Sequence, residues 1–114
     1  MLEIDVEFKK GILFVRLSGI LSKTTVGKLK DEVTSLVKDN GIRNLVFNIT
    51  NLEMLDMKGI NELLYNYELC KLNKGISMIC GSNDLVRRRM KNSRILKYMY
   101  EISDEMSAVH ILNL

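Results

Sequence analysis

Residues 51–64 read NLEMLDMKGINELL, and the reading of this stretch decides the fold. Ile60, Leu63, Leu64 and, further on, Tyr67 recur at helical spacing after Asp56, so a helix is expected to begin there with Lys58 and Gly59 in its first turn. Directly upstream, residues 43–49 (RNLVFNI) form a short apolar run bounded by polar residues and rich in Val, Phe and Ile, which predicts a central strand. A buried strand that passes through a loop into a helix start brings backbone amides and side chains to one end of a sheet. Function is expected at that end.

Working outward toward the N-terminus, Leu2, Ile4, Val6 and Phe8 alternate with Glu3, Asp5 and Glu7, the period of a half-buried strand. Lys9, Lys10 and Gly11 read as a turn, and residues 12–17 resume the alternation with Leu13, Val15 and Leu17 opposite Arg16, which predicts a hairpin. Residues 18–23 read as a loop in which Ser22, or Thr24 just beyond it, caps the helix that follows. Val26, Leu29, Val33, Leu36 and Val37 make that helix, with Asn40 and Gly41 as its stop.

Toward the C-terminus the central helix is expected to stop at Gly75 and lead into a buried strand, ISMIC, at residues 76–80. Ser82 reads as the cap of a third helix, with Asp84 in its first turn and Leu85, Val86 and Met90 as its apolar contacts. Residues 94–102 (RILKYMYEI) read as a short helix passing into an edge strand. Ser103, Asp104 and Glu105 open a last helix carrying Met106, Val109 and His110, with His110 on its inner face. Strands alternating with helices imply parallel pairing, so the expected class is α/β, a small mixed sheet of about four to five strands with about four helices packed mainly on one face.

A chain of 114 residues with 46% hydrophobic and 27% charged residues has globular composition and is expected to form a single domain over 1–114. Apolar runs are too short to span a bilayer and the N-terminus does not read as a signal peptide, so a cytoplasmic protein is expected. Cys70 and Cys80, the two cysteines, lie in apolar segments and read as reduced core thiols. A net charge of +3 is mild and makes no case for nucleic acid.

Three segments carry a resemblance: LSGIL at 17–21, NLVFNITNLEMLDMKGINELLYNY at 44–67 and SNDLVRRRMKNSRILKYM at 82–99. Together they are similar to the STAS domain of bacterial anti-sigma factor antagonists, over nearly the whole chain. The resemblance implies a STAS-like fold and a non-enzymatic, cofactor-free protein that binds an anti-sigma factor of the kinase-like ATPase type, thereby regulating sigma-factor-dependent transcription. It also leaves open a second role, as a regulatory or structural subunit of a signalling or membrane transport assembly, in which the membrane is met only through a partner.

In that family an acidic residue, two small hydroxylated residues, a glycine and a leucine open the second main helix, and the partner phosphorylates the second hydroxyl. Asp56 and Gly59 match this signature and Ile60 stands in for leucine, but Met57 and Lys58 do not match, and Lys58 occupies the phosphorylated position. The acidic positions of the family's loop after the second strand are also missing, since this chain reads Gly19, Ile20, Leu21, Ser22. The partner-binding residues implied are Ser22, Thr24, Thr25, Asp56, Met57, Lys58, Gly59 and Asn61, without the usual phosphoserine switch.

A phosphoserine at a helix N-terminus adds close to two negative charges; lysine instead places a positive charge at the positive end of the helix dipole. Lys58 therefore either extends into solvent near Asp56 or Glu62, or joins the helix amides as an anion site. Ser22, Thr24 and Thr25 read as capping residues, with a displaced phosphorylation site as the alternative.

No other segment carries chemistry of its own. His110 is the single histidine and lacks neighbours at metal-ligand spacing, no nucleophile has a base and an orienting group, and glycine-rich phosphate loops are missing. Arg87, Arg88, Arg89, Lys91, Arg94 and Lys97 form the densest charge cluster; on a helix the three arginines point to different sides, as in a solvated face, with docking to an acidic partner or membrane surface and, last, nucleic acid as the alternatives. Among the seven methionines, Met54, Met57, Met90 and Met99 are candidates for an adaptable interface or for filling core gaps.

Overall fold

A computed structural model describes residues 1–112. Its sheet has five strands in the order β1 (Leu2–Lys9), β2 (Ile12–Leu21), β3 (Asn44–Leu55), β4 (Ser77–Cys80) and β5 (Tyr100–Ile102). β1 and β2 pair antiparallel as the expected hairpin, and the β2–β3, β3–β4 and β4–β5 pairs are parallel. Lys10 and Gly11 both hold positive φ (53° and 75°), the two-residue turn whose twist suits a hairpin.

Between β2 and β3 runs one helical segment made of α1 (Val26–Leu29), a π-helical turn (Lys30–Thr34) and α2 (Ser35–Asn40). The remaining helices are α3 (Met57–Leu72), α4 (Asp84–Lys91), α5 (Ile95–Tyr98) and α6 (Glu105–Ile111). The first face of the sheet, with Leu13, Val15, Leu17, Leu45, Phe47 and Ile49, packs against Leu29, Val33 and Val37, Ile60 and Leu63, and Val86, Met90 and Ile95. On the other face Ile12, Phe14, Val46, Met78 and Cys80 meet Ala108 of α6. The α/β class and the helices mainly on one face are thus as expected.

Several boundaries differ from those read in the sequence. β2 continues through residues 18–21, and β3 continues to Leu55, because these segments pair with each other in register shifts around Gly19. Gly19 takes a φ of 92°, and a Cβ there would lie 2.3 Å from the carbonyl oxygen of Met1. The cap of α4 is Asn83, whose Oδ1 accepts from the amide of Val86 at 3.0 Å, and not Ser82. His110 is exposed, on the outer side of α6. The apolar face of β1 is covered only at its start, leaving Val6 and Phe8 exposed.

The end of α3 is also built differently. The amide of Gly75 donates to Cys70 and that of Lys74 to Lys71, the paired bonds of a Schellman ending, and the residue that takes the left-handed conformation is Lys74 (φ 63°). Gly75 serves another purpose, since a Cβ on it would fall 1.7 Å from the carbonyl oxygen of Arg43. Because a side chain is disfavoured in that conformation by about 1 kcal/mol, Lys74→Gly is expected to raise the unfolding temperature by several degrees in a thermal melt.

α6 is held to the sheet by charge. The Arg16 guanidinium donates to both carboxylate oxygens of Glu105 at 2.8 Å and reaches Asp5 and Glu7 on the neighbouring strand, while Asn48 donates to Glu105 at 2.9 Å. The bonds from Arg16 lower the Glu105 pKa against the opposing effect of burial, and the bond from Asn48 adds to them. A carboxyl whose folded pKa is depressed stabilises the fold above its unfolded pKa, about 4.3, and that contribution is lost as pH falls through the lower folded value. Glu105→Gln should accordingly flatten the fall of melting temperature with pH below about 4.5, and an unchanged slope would place the acid sensitivity elsewhere.

The two cysteines are free, buried and in different core layers, Cys70 among the helices and Cys80 on the α6 side. Burial, with Glu105 and Asp104 nearby, pushes the Cys80 thiol up to about 11. This is the core-thiol expectation.

Candidate functional site

The C-terminal ends of β2 and β3 lie side by side, with Ile20 opposite Met54 and Leu21 opposite Leu55, so the chain leaves both strands at the same end of the sheet. From β2 it enters the turn at 22–25, and from β3 it enters α3 through Asp56. In parallel α/β sheets this end, outside the carboxyl ends of the strands, is where binding residues collect.

Asp56 joins the two exits. Its Oδ1 accepts from the amide of Gly59 at 2.9 Å, capping α3, and its Oδ2 accepts from the amide of Lys23 at 2.9 Å. The Asp56 amide in turn donates to the carbonyl of Leu21 at 3.2 Å. Burial raises the Asp56 pKa, but bonds from the amides of Gly59, Lys23 and Lys58 outweigh it and leave the carboxyl below its ordinary range. Gly59 lets the helix approach this closely, because a Cβ there would sit 2.8 Å from Leu21 Cγ and from the Leu21 carbonyl oxygen.

The turn is braced from within. Thr25 Oγ1 donates to the Ile20 carbonyl at 2.8 Å and accepts from the Ser22 amide at 2.9 Å, while the hydroxyls of Ser22 and Thr24 are 2.9 Å apart. Ser22 is buried, whereas Lys23 and Thr24 are exposed. No side-chain bond caps α1, so the capping role expected for Ser22 or Thr24 is replaced by bracing of the turn itself.

The STAS domain family matches residues 3–109 of the chain. The chain belongs to the STAS domain family. An anti-sigma F factor antagonist of Paenibacillus polymyxa is 28% identical to this STAS chain over 108 residues, covering 95% of the chain and 92% of the relative. The fold is shared with the anti-sigma factor antagonist SpoIIAA in its unphosphorylated form, with a TM-score of 0.84 at 15% identity and 98% of each chain covered. An anti-sigma factor antagonist from Mycobacterium paratuberculosis superposes with a TM-score of 0.87 at 19% identity, covering 100% of this chain and 96% of that one.

In this STAS domain the eight residues singled out from the sequence all come to one end, but they divide by exposure. Thr24, Met57, Lys58 and Asn61 are exposed; Asp56 and Thr25 are half-buried and held by internal bonds; Ser22 and Gly59 are buried. None of the ion pairs among the described residues involves Lys58, whereas Glu62, one of the acceptors considered for it, turns inward to bond Thr34 Oγ1 at 2.6 Å.

Three contributions escaped the sequence. Lys23 supplies the amide that latches the turn to Asp56, and a backbone donor has no signature in side-chain type. Leu85 and Arg89 of α4 flank Met54 in a shallow groove beside the site, so the surface extends onto a third element. Glu62 and Asn66 are buried on α3, where Asn66 Nδ2 donates to Thr34 Oγ1 at 2.9 Å across to the π-helical turn. The methionines separate cleanly: Met90 and Met99 are core, and Met54 and Met57 stand 55% and 54% exposed on either side of Asp56 in sequence. Arg87 pairs with Glu101 while Arg89 lines the groove, so the arginines do face different sides. No helix among the described residues is long and apolar enough to cross a membrane.

Proposed function

We propose that this protein is a non-enzymatic anti-sigma factor antagonist that docks a kinase-type anti-sigma factor through the end formed by residues 22–25 and 56–61, without phosphoserine control. The observation that carries this reading is the intact helix start at Asp56 and Gly59 with an exposed lysine between them. The scaffold that presents the position is retained, and the acceptor hydroxyl is replaced by an ammonium. Kinship with an anti-sigma F factor antagonist supports the partner class.

The exposed surface at this end carries the apolar Met54, Met57 and Leu85 together with Lys23, Lys58 and Arg89, against the carboxylate of Glu53 in the groove shared by Met54, Leu85 and Arg89. An interface of that make-up suits a partner with an apolar pocket and an acidic border. The test is incubation with a kinase-type anti-sigma factor and labelled ATP. A stable complex on size-exclusion chromatography with no label on the antagonist is expected; label transferred to the native chain would overturn the loss of the switch, and no complex at micromolar concentration would overturn the partner.

A further inference from the structure

The C-terminal half of α3 and the short helix α5 flank an open surface groove of about 720 Å³. With 16 residues in α3 and about 1.5 Å of rise per residue, it lies roughly 20 Å from Asp56, so it is separate from the docking end. Its walls are apolar, formed by Leu64, Tyr67 and Leu72 of α3 and Tyr98 of α5. The Tyr67 and Tyr98 rings lie 5.5 Å apart at 41°, and Leu72 and Tyr98 remain 79% and 43% exposed.

The polar groups of the groove are Lys71 and Lys74 against the single carboxylate of Glu68. Lys74 is also the residue held at a φ of 63°, where glycine or asparagine is preferred, and Arg43 Nη2 donates to its carbonyl at 3.3 Å. The left-handed residue of the helix ending is therefore a cation at an apolar groove. The carbonyl end of a helix disfavours anions, but here the carbonyls of Cys70 and Lys71 are occupied by the amides of Gly75 and Lys74. The two ammonium groups then set the sign of the site.

We infer that this groove binds a small amphiphilic anion, an apolar chain or ring lying along Tyr67 and Tyr98 with a carboxylate or comparable headgroup at Lys71 and Lys74. The volume falls within the range of small-ligand sites, about 300–1,000 Å³. The Lys71 and Lys74 ammonium groups beside these apolar walls are complementary to an anionic headgroup carried on an apolar chain.

The experiment is a titration of the isotope-labelled protein with monomeric decanoate, followed by amide chemical shifts, with decyltrimethylammonium as the cationic counterpart. Saturable shifts confined to residues 64–74 and 95–98 are expected with decanoate, and about tenfold weaker binding of the cation. The double variant Lys71→Glu, Lys74→Glu, with its melting temperature checked in parallel, should reverse that preference. Equal response to both amphiphiles, shifts centred on Asp56, or no saturation would each overturn the inference. Binding to phosphatidylglycerol vesicles without any response to monomeric decanoate would overturn it too, assigning the face to a membrane surface.

Discussion

Replacing Gly59 with alanine should lower the melting temperature by roughly 10 °C or more, a loss of about 2 kcal/mol or more, and should weaken partner binding beyond what the lost stability explains. The added methyl would lie 2.8 Å from the Leu21 carbonyl oxygen and Leu21 Cγ and 3.0 Å from Leu55 Cδ1. Leu21 and Leu55 are the last residues of β2 and β3 and both are buried, so neither can yield without moving a strand end. α3 must then rise from the sheet, which lengthens the Asp56 bonds to Gly59 and Lys23 and loosens the turn at 22–25. Thermal denaturation reads the first effect; amide exchange at Lys23 and Gly59 reads the second. Alanine tolerated within a degree would show that the helix start is not fixed by this contact.

The same contact explains what was legible in advance. The helical spacing of Ile60, Leu63 and Leu64 after Asp56 and the short apolar run at 45–49, bounded by polar residues, are each local signals, so strand, loop and helix could be placed from sequence. Both hairpin strands and the edge strand at 100–102 were similarly readable. The extension of β2 through Gly19 to Leu21 was not, because it depends on pairing with β3 across a register shift, and glycine in a run of this kind reads locally as a loop. Glu62 and Asn66 were hidden for a related reason. Thr34, 28 and 32 residues away, bonds the Glu62 carboxylate and the Asn66 side-chain nitrogen, while Asn66 Oδ1 has no partner among the described residues, and such long-range pairing is invisible to periodicity along one helix. At the end of the sheet near Asp56 the residues named from the sequence lie together, and exposure divides Thr24, Met57, Lys58 and Asn61, on the surface, from Ser22, Thr25, Asp56 and Gly59, which hold the turn and the helix start.

Lys58 separates the two halves of the functional reading, and three substitutions should move them in opposite directions. Lys58→Ser places a hydroxyl where the proposed reading puts the phosphorylated residue, without touching the cap, since the Asp56 bonds run to the amides of Gly59 and Lys23 and not to the Lys58 side chain. A kinase-type anti-sigma factor with ATP should then label this variant, and the labelled form should dissociate, because two new negative charges would face an acidic border. Lys58→Glu places one such charge there permanently, and its affinity should fall about 10- to 100-fold, the scale of losing one charge-assisted contact and gaining a like-charge one. Lys58→Ala should lose less and should reduce the dependence of affinity on salt, as screening acts on the exposed ammonium. Calorimetric titration at low and moderate salt distinguishes these outcomes. If Lys58→Glu bound as tightly as the native chain, the ammonium would lie outside the interface and the partner face would have to be sought around Met54 and Leu85. Labelling of Lys58→Ser together with loss of binding by Lys58→Glu would instead place a fixed positive charge where the family places a reversible negative one, which makes binding by this chain constitutive.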